Sequence, residues 1–121
     1  MGQTQTTIHH ANKALRLSPF DPSAFEAHLA VGMALLPEER FDEAAKHFAA
    51  GARINQRHSL FPFFEAIALA LAGRIDDATP LVRRGLELEP GFRIKIFSEF
   101  GMVSRVADKF IEGARLLGLP E

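Results

Sequence analysis

Five histidines and three pairs of adjacent acids are the residues whose types could do chemistry in this chain. His9 and His10 are neighbours, and on a helix their side chains point about 100° apart, so the two cannot easily grip one metal ion. His28, His47 and His58 have no partner at ligand spacing, such as i, i+4 with a carboxylate between. Glu38-Glu39, Asp42-Glu43 and Asp76-Asp77 suggest acid/base work, yet all three fall where helices are expected to start. Negative charge suits the helix dipole and capping there, which accounts for the pairs without catalysis. No nucleophile elbow, phosphate-cradling glycine loop or zinc-protease word occurs. The absence of cysteine excludes disulfides, thiolate nucleophiles and sulfur-ligated metals. The residues therefore predict a protein that is not an enzyme and holds no cofactor and no metal.

Bulk properties agree with a binding or structural role. With 121 residues the chain is long enough for one domain with a modest core, and 47% hydrophobic with 24% charged residues is ordinary globular composition. Fourteen basic and fifteen acidic side chains leave a formal net charge of −1. Such a field does not attract nucleic acid over a distance. Arg83-Arg84, Arg93, Lys95, Arg105, Lys109 and Arg115 crowd the last third, but acids interleave with them, as on a solvated mixed surface. No apolar run approaches the roughly 18 residues needed to span a bilayer. Met1 to Thr7 is polar and lacks a signal-peptide pattern, so a cytoplasmic protein without a membrane partner is expected. Met1 to Thr6 fits the loose N-myristoylation word, and a frayed start accounts for the same residues.

Caps and breakers give the helices that must position any site. A helix over Thr7–Ser18 carries Ile8, Ala11, Ala14 and Leu15 on one side and stops before Pro19. Asp21-Pro22 starts a second that runs to Leu36 and is broken by Pro37, with Glu38-Glu39 opening the next. Ser59 is the expected cap of a helix that tolerates Pro62 in its first turn and ends at Gly73. Pro80 sets the following start near Asp76, the expected cap, since proline deeper in a helix costs on the order of 3 kcal/mol. Phe92, Ile96, Phe100 and Val103 keep helical spacing, although Arg93-Ile94-Lys95-Ile96 also alternates like a strand. A last helix, Ser104 to Leu117, places Ala107, Phe110, Ile111, Ala114 and Leu117 on one face and stops at Gly118.

The chain repeats itself. Arg40-Phe41-Asp42-Glu43-Ala44 returns as Arg74-Ile75-Asp76-Asp77-Ala78, 34 residues on. The same offset takes Phe48 to Val82, Gly51 to Gly85 and Ile54 to Leu88. Leu15-Arg16-Leu17-Ser18-Pro19 echoes Leu86-Glu87-Leu88-Glu89-Pro90, with Ala52-Arg53-Ile54-Asn55-Gln56 between. Small residues at 44, 51, 78 and 85 let helix backbones approach, while Phe48 and Val82 fill the space between neighbours.

On these residues the chain resembles tetratricopeptide repeats, whose second helix carries small, aromatic and small residues before a closing proline. Ala44, Phe48, Gly51 and Gln56 occupy those positions in one copy, and Ala78, Val82, Gly85 and Pro90 in the next; Gln56 departs from the proline. The resemblance implies an all-α fold, a right-handed α-solenoid of antiparallel helix pairs. It divides into an orphan helix (7–18), repeat 1 (21–55), repeat 2 (59–89) and a C-terminal two-helix cap (91–117).

The words Phe110-Ile111-Glu112-Gly113-Ala114-Arg115 and Leu117-Gly118-Leu119-Pro120-Glu121, following Leu88-Glu89-Pro90-Gly91-Phe92, are similar to the tetratricopeptide region ending certain bacterial class III adenylate or guanylate cyclases. This implies a regulatory tail, or an accessory tail of a separately encoded cyclase, with no cyclase activity of its own. In tetratricopeptide proteins the first helix of each repeat lines a concave groove. Carried onto this chain, the lining is Leu60, Phe63, Ile67 and Ala70, continued by Leu29, Met33 and Leu36. An apolar groove of this kind implies a protein or peptide partner offering a hydrophobic or helical segment. The same residues also read as inter-helix core. The Ile8, Ala11 and Leu15 face lacks the neighbour a preceding helix would give, so a homodimer contact there is the alternative expectation.

Overall fold

The computed structural model describes residues 24–56, 58–99 and 101–121. They form six helices: α1 (Ala24–Leu35), α2 (Phe41–Ile54), α3 (Phe61–Leu71), α4 (Ile75–Leu88), α5 (Ile96–Glu99) and α6 (Ser104–Leu116). No strand occurs among the described residues, and the all-α expectation holds. The expected 7–18 helix and the Asp21-Pro22 start lie outside the described residues.

The middle helix is the axis of the packing. α3 reads Phe-Pro-Phe-Phe-Glu-Ala-Ile-Ala-Leu-Ala-Leu, apolar all round but for Glu65, and such a helix must be enclosed by others. It is: α2, α4 and α6 all pack against α3, while α1 covers the other side of α2. The helices flanking α3 have clear apolar stripes instead. In α2, Ala44, Ala45, Phe48 and Gly51 are buried, and Asp42, Glu43, Lys46 and Arg53 face water.

Close approach is made by aromatic rings set on glycines. A Cβ built on Gly51 would lie 2.5 Å from Phe61 Cε1, and one on Gly85 would lie 2.8 Å from Phe63 Cε2 and Cζ. Gly32 receives Phe48 in the same manner, at 2.5 Å. The chain has eleven phenylalanines and no tyrosine or tryptophan, so its aromatic core carries no polar atom needing a partner. Phe63 stacks on Phe92 with centroids 3.9 Å apart, and Phe97 stacks on Phe110 at 4.9 Å.

The 34-residue periodicity is visible in the backbone. α2 and α4 have 14 residues each and begin and end at positions 34 apart. They are preceded by residues of positive φ, Glu39 at 59° and Gly73 at 82°. The same two hydrogen bonds close both turns: the Glu39 and Arg40 N–H groups donate to Leu36 and Leu35, as those of Gly73 and Arg74 do to Ala70 and Leu69. The N-caps also match, Arg40 bonding Glu43 and Arg74 bonding Asp77.

Several expected boundaries shift. Glu38-Glu39 lie in the turn before α2 and not in its first helical turn, which holds Asp42 and Glu43. Asp76 is not the cap of α4, because the Gly73 turn delivers Arg74 directly into the cap position and Ile75 is already helical. Pro80 therefore falls inside α4, and the neighbouring Thr79 hydroxyl donates to the Ile75 carbonyl at 3.2 Å. Ser59 does not cap α3; its hydroxyl donates to Glu89 Oε2 at 3.4 Å.

The largest departure is the cap. The helical spacing expected for Phe92, Ile96 and Val103 gives way to an irregular segment with a single turn, α5, of 4 residues. Phe92, Ile94 and Phe97 are buried there, whereas Val103 is 61% exposed. The alternation of Arg93 and Lys95 outward with Ile94 inward prevails locally. The backbone of this segment is held by the chain's end, with Ile94 N–H donating to Pro120 O at 2.8 Å and Lys95 N–H to Glu121 O at 3.4 Å. The two-helix cap is thus one helix, α6, and a strap.

Candidate functional site

The face of α3 assigned to a peptide groove is covered by the chain itself. A Cβ on Gly113 of α6 would lie 2.5 Å from Ile67 Cγ2 and 2.9 Å from the Ile67 carbonyl oxygen. Phe110 of α6 lies 5.1 Å from Phe64, ring to ring. Leu36, Phe63 and Ile67 are 0% exposed, Ala70 3% and Leu60 8%. No peptide can reach these side chains without opening the core, which corrects the groove expectation for all five. Leu29 and Met33 are half-buried and pack against the same core. Ile8, Ala11 and Leu15 lie outside the described residues.

On its opposite face α3 opens to solvent at Glu65, between the buried Pro62 and Leu69. Pro62, Glu65 and Leu69 follow at three and four residues along one stripe, and Ala45, Ala49 and Ala52 do the same along α2. The short alanines leave a trough lined by α2, α3 and α4. Two adjoining cavities occupy it, of about 270 Å³ and 310 Å³, and Ala49 and Glu65 line both. Arg53, Asn55, Gln56, His58 and Arg84 surround the first, and Asp42, Lys46, Arg74 and Asp77 the second. One end is closed by a clasp in which Arg74 bonds Asp42 of α2 and Asp77 of α4, each at 3.0 Å.

Glu65 is the singular group in this trough. It is the one charged residue of α3, half-buried, and has no hydrogen bond or ion pair among the described residues. Burial pushes its carboxyl above the usual carboxylate range, and the positive charge of Arg53 partly opposes that rise. Lys46, Arg53 and Arg84 are exposed around it. Unlike Arg74, none of the three forms an ion pair among the described residues. A site of this kind offers cations to an acidic group and one carboxylate to a donor.

Comparison with known proteins finds no match among protein families, curated proteins or solved structures.

The histidines are arranged otherwise than their sequence spacing suggests. His28 of α1 and His47 of α2 are 19 residues apart, yet their Nδ1 atoms are 3.1 Å apart. Burial lowers the pKa of both; the Arg53 charge adds to this for His28 and the His28 charge for His47, while Glu43 pulls His47 back up. His58 is likewise lowered by burial, and its Nδ1 accepts the Leu60 N–H at 3.4 Å. Among the described residues no three histidine, aspartate or glutamate side chains converge as a metal site. No helix among them is long and apolar enough to cross a membrane.

Glu65 and Arg53 were not singled out by the sequence, and Arg84 read there as part of a solvated mixed surface. A signal for the first was available, since a lone charge in an otherwise apolar helix must be enclosed at a cost or turned toward an opening.

Proposed function

We propose that the chain is a tetratricopeptide-type helical stack that binds another protein without catalysing a reaction, and that it does so through the trough over Glu65. Support for the stack comes from the 34-residue return of two whole helices, their left-handed closing residues and their cap ion pairs, together with the consecutive packing of α1 on α2, α2 on α3 and α3 on α4. Support for the trough comes from one observation above all. A half-buried carboxylate has no hydrogen bond or ion pair among the described residues and sits on the floor of an opening beside α3, where a neutral residue would fold at lower cost.

The charges of the lining favour one kind of partner. With Asp42 and Asp77 held by Arg74, the exposed cations Lys46, Arg53 and Arg84 form no ion pair among the described residues and stand around Glu65, so the ligand is an acidic protein segment that also brings one hydrogen-bond donor or cation to the floor. A purely apolar helix does not fit, because the apolar face of α3 is already covered by α6.

Selection of a random peptide display library on the purified chain tests this. Enriched peptides are expected to carry acids and to lose binding to a Lys46→Ala, Arg53→Ala, Arg84→Ala variant that keeps its helical circular dichroism. Enrichment of apolar peptides that bind wild type and variant alike would sink the reading.

A further inference from the structure

We propose that His28 and His47 form a two-histidine site for a divalent transition-metal cation of the kind imidazole prefers, with Zn²⁺ as the representative, pinning α1 to α2. The geometry is close to what such an ion needs. Two nitrogens bound at about 2.0–2.1 Å, and separated by a bond angle between roughly 90° and 109°, are about 2.9–3.4 Å apart. The Nδ1 atoms of His28 and His47 are 3.1 Å apart. Each ring comes from a different helix, so the pairing is fixed by the α1–α2 packing and not by one flexible segment.

Without metal, one proton is shared: one Nδ1–H donates and the other Nδ1 accepts, which requires the two rings to be opposite tautomers. A cation takes the place of that proton and receives both lone pairs, and the displaced proton is taken up, through solvent, by the bare Nε2 of the same ring, so that both rings bind as neutral imidazoles. Burial favours the neutral form of both rings, so the lone pairs are available at neutral pH. Both residues are half-buried, leaving a route for an ion and for the waters that complete its shell.

The surrounding charges set its strength. Glu43, one turn before His47, favours a cation, but its carboxylate is held by Arg40 at 2.7 Å; Arg53 acts on His28 in the opposite sense. With two protein ligands and these neighbours the site is weaker than a closed structural zinc site and exchanges its ion with solvent.

Calorimetric titration of the full chain with ZnCl₂ at pH 7.5 provides the test, with MgCl₂ as the control ion. One saturable Zn²⁺ site is expected, lost in His28→Gln and in His47→Gln, and kept in a His9→Gln, His10→Gln double variant. To guard against a variant that fails to fold, nitrogen-detected NMR of the wild-type histidine rings is read in parallel. There Zn²⁺ should move the Nδ1 resonances of His28 and His47 together and leave that of His58 in place. No saturable binding, binding that survives either single substitution, or ring shifts confined to other histidines overturns the proposal.

Discussion

Glu39 and Gly73, 34 residues apart, hold the same left-handed backbone conformation and close equivalent helix ends with the same pair of hydrogen bonds. Only one of them is suited to it. A residue with a Cβ costs roughly 1–2 kcal/mol at positive φ, which glycine does not incur. Glu39→Gly is therefore expected to stabilise the fold by about 0.5–1 kcal/mol after the added freedom of the unfolded glycine, and Gly73→Ala to destabilise it by about 1 kcal/mol. Urea unfolding of the two variants checks both signs. If the two changes shift the midpoint in the same direction, the equivalence of the two turns fails.

Gly113 is the point at which α6 lies on α3. A methyl group there would meet the Ile67 backbone carbonyl, which cannot rotate aside as a side chain can. Gly113→Ala should cost about 1–3 kcal/mol through overpacking. Gly91→Ala, whose new Cβ would have only Glu89 Oε1 as a neighbour, at 4.0 Å, is expected to stay within about 0.5 kcal/mol of wild type. Equal stability of the two variants would contradict the α3–α6 contact.

The buried histidines set a pH dependence. His28, His47 and His58 have folded-state pKa values below the ordinary imidazole value, chiefly through burial, so the folded state binds fewer protons than the unfolded chain. Their contribution is fully present above about pH 6.5 and is lost as the pH falls through the lowered folded values. Glu65 acts in the opposite sense, because its raised value favours the folded state at low pH and that advantage disappears as the pH rises through it. Denaturant midpoints should be level from pH 8 to 7 and fall below 6.5, and the acid-side fall should be steeper in Glu65→Gln. A midpoint that rises on going below pH 6.5 would contradict the burial of the three rings.

Glu65→Gln should also stabilise the chain at pH 7, since it removes a desolvated charge while keeping the side chain's shape. The same change should weaken a partner that presents a donor to the trough floor. Stability gained with binding lost is the mark of a residue retained for function. Thermal melting paired with peptide affinity measures both, and a stabilised variant with unchanged affinity would remove Glu65 from the site.

Helix identity and period were legible because they depend on local spacing. The 34-residue return, the stop at Gly73, the stop at Gly118 and the small residues at 51 and 85 all carry over into the structure. What failed depended on contacts distant in sequence. Asp76 carries good capping chemistry, but the turn fixed by Gly73 seats Arg74 first. Phe92 and Ile96 hold helical spacing, but the stacking of Phe92 on Phe63 and the bonds from Ile94 and Lys95 to the chain's end hold that segment open. Phe63 and Ile67 read equally well as groove or core until α4 and Phe92 are placed against the first and α6 over the second. The His28–His47 pair spans two helices, and no spacing rule within one helix detects it.

Where a partner binds decides the role of the trough. The most direct measurement is amide chemical-shift mapping of the labelled chain with an acidic peptide taken from the display selection. Binding in the trough should shift Ala45, Ala49, Arg53, Glu65 and Arg84 and leave Gly113 and Ala114 unmoved. Shifts centred on α6, or spread evenly with no response at Glu65 and Ala49, would contradict it.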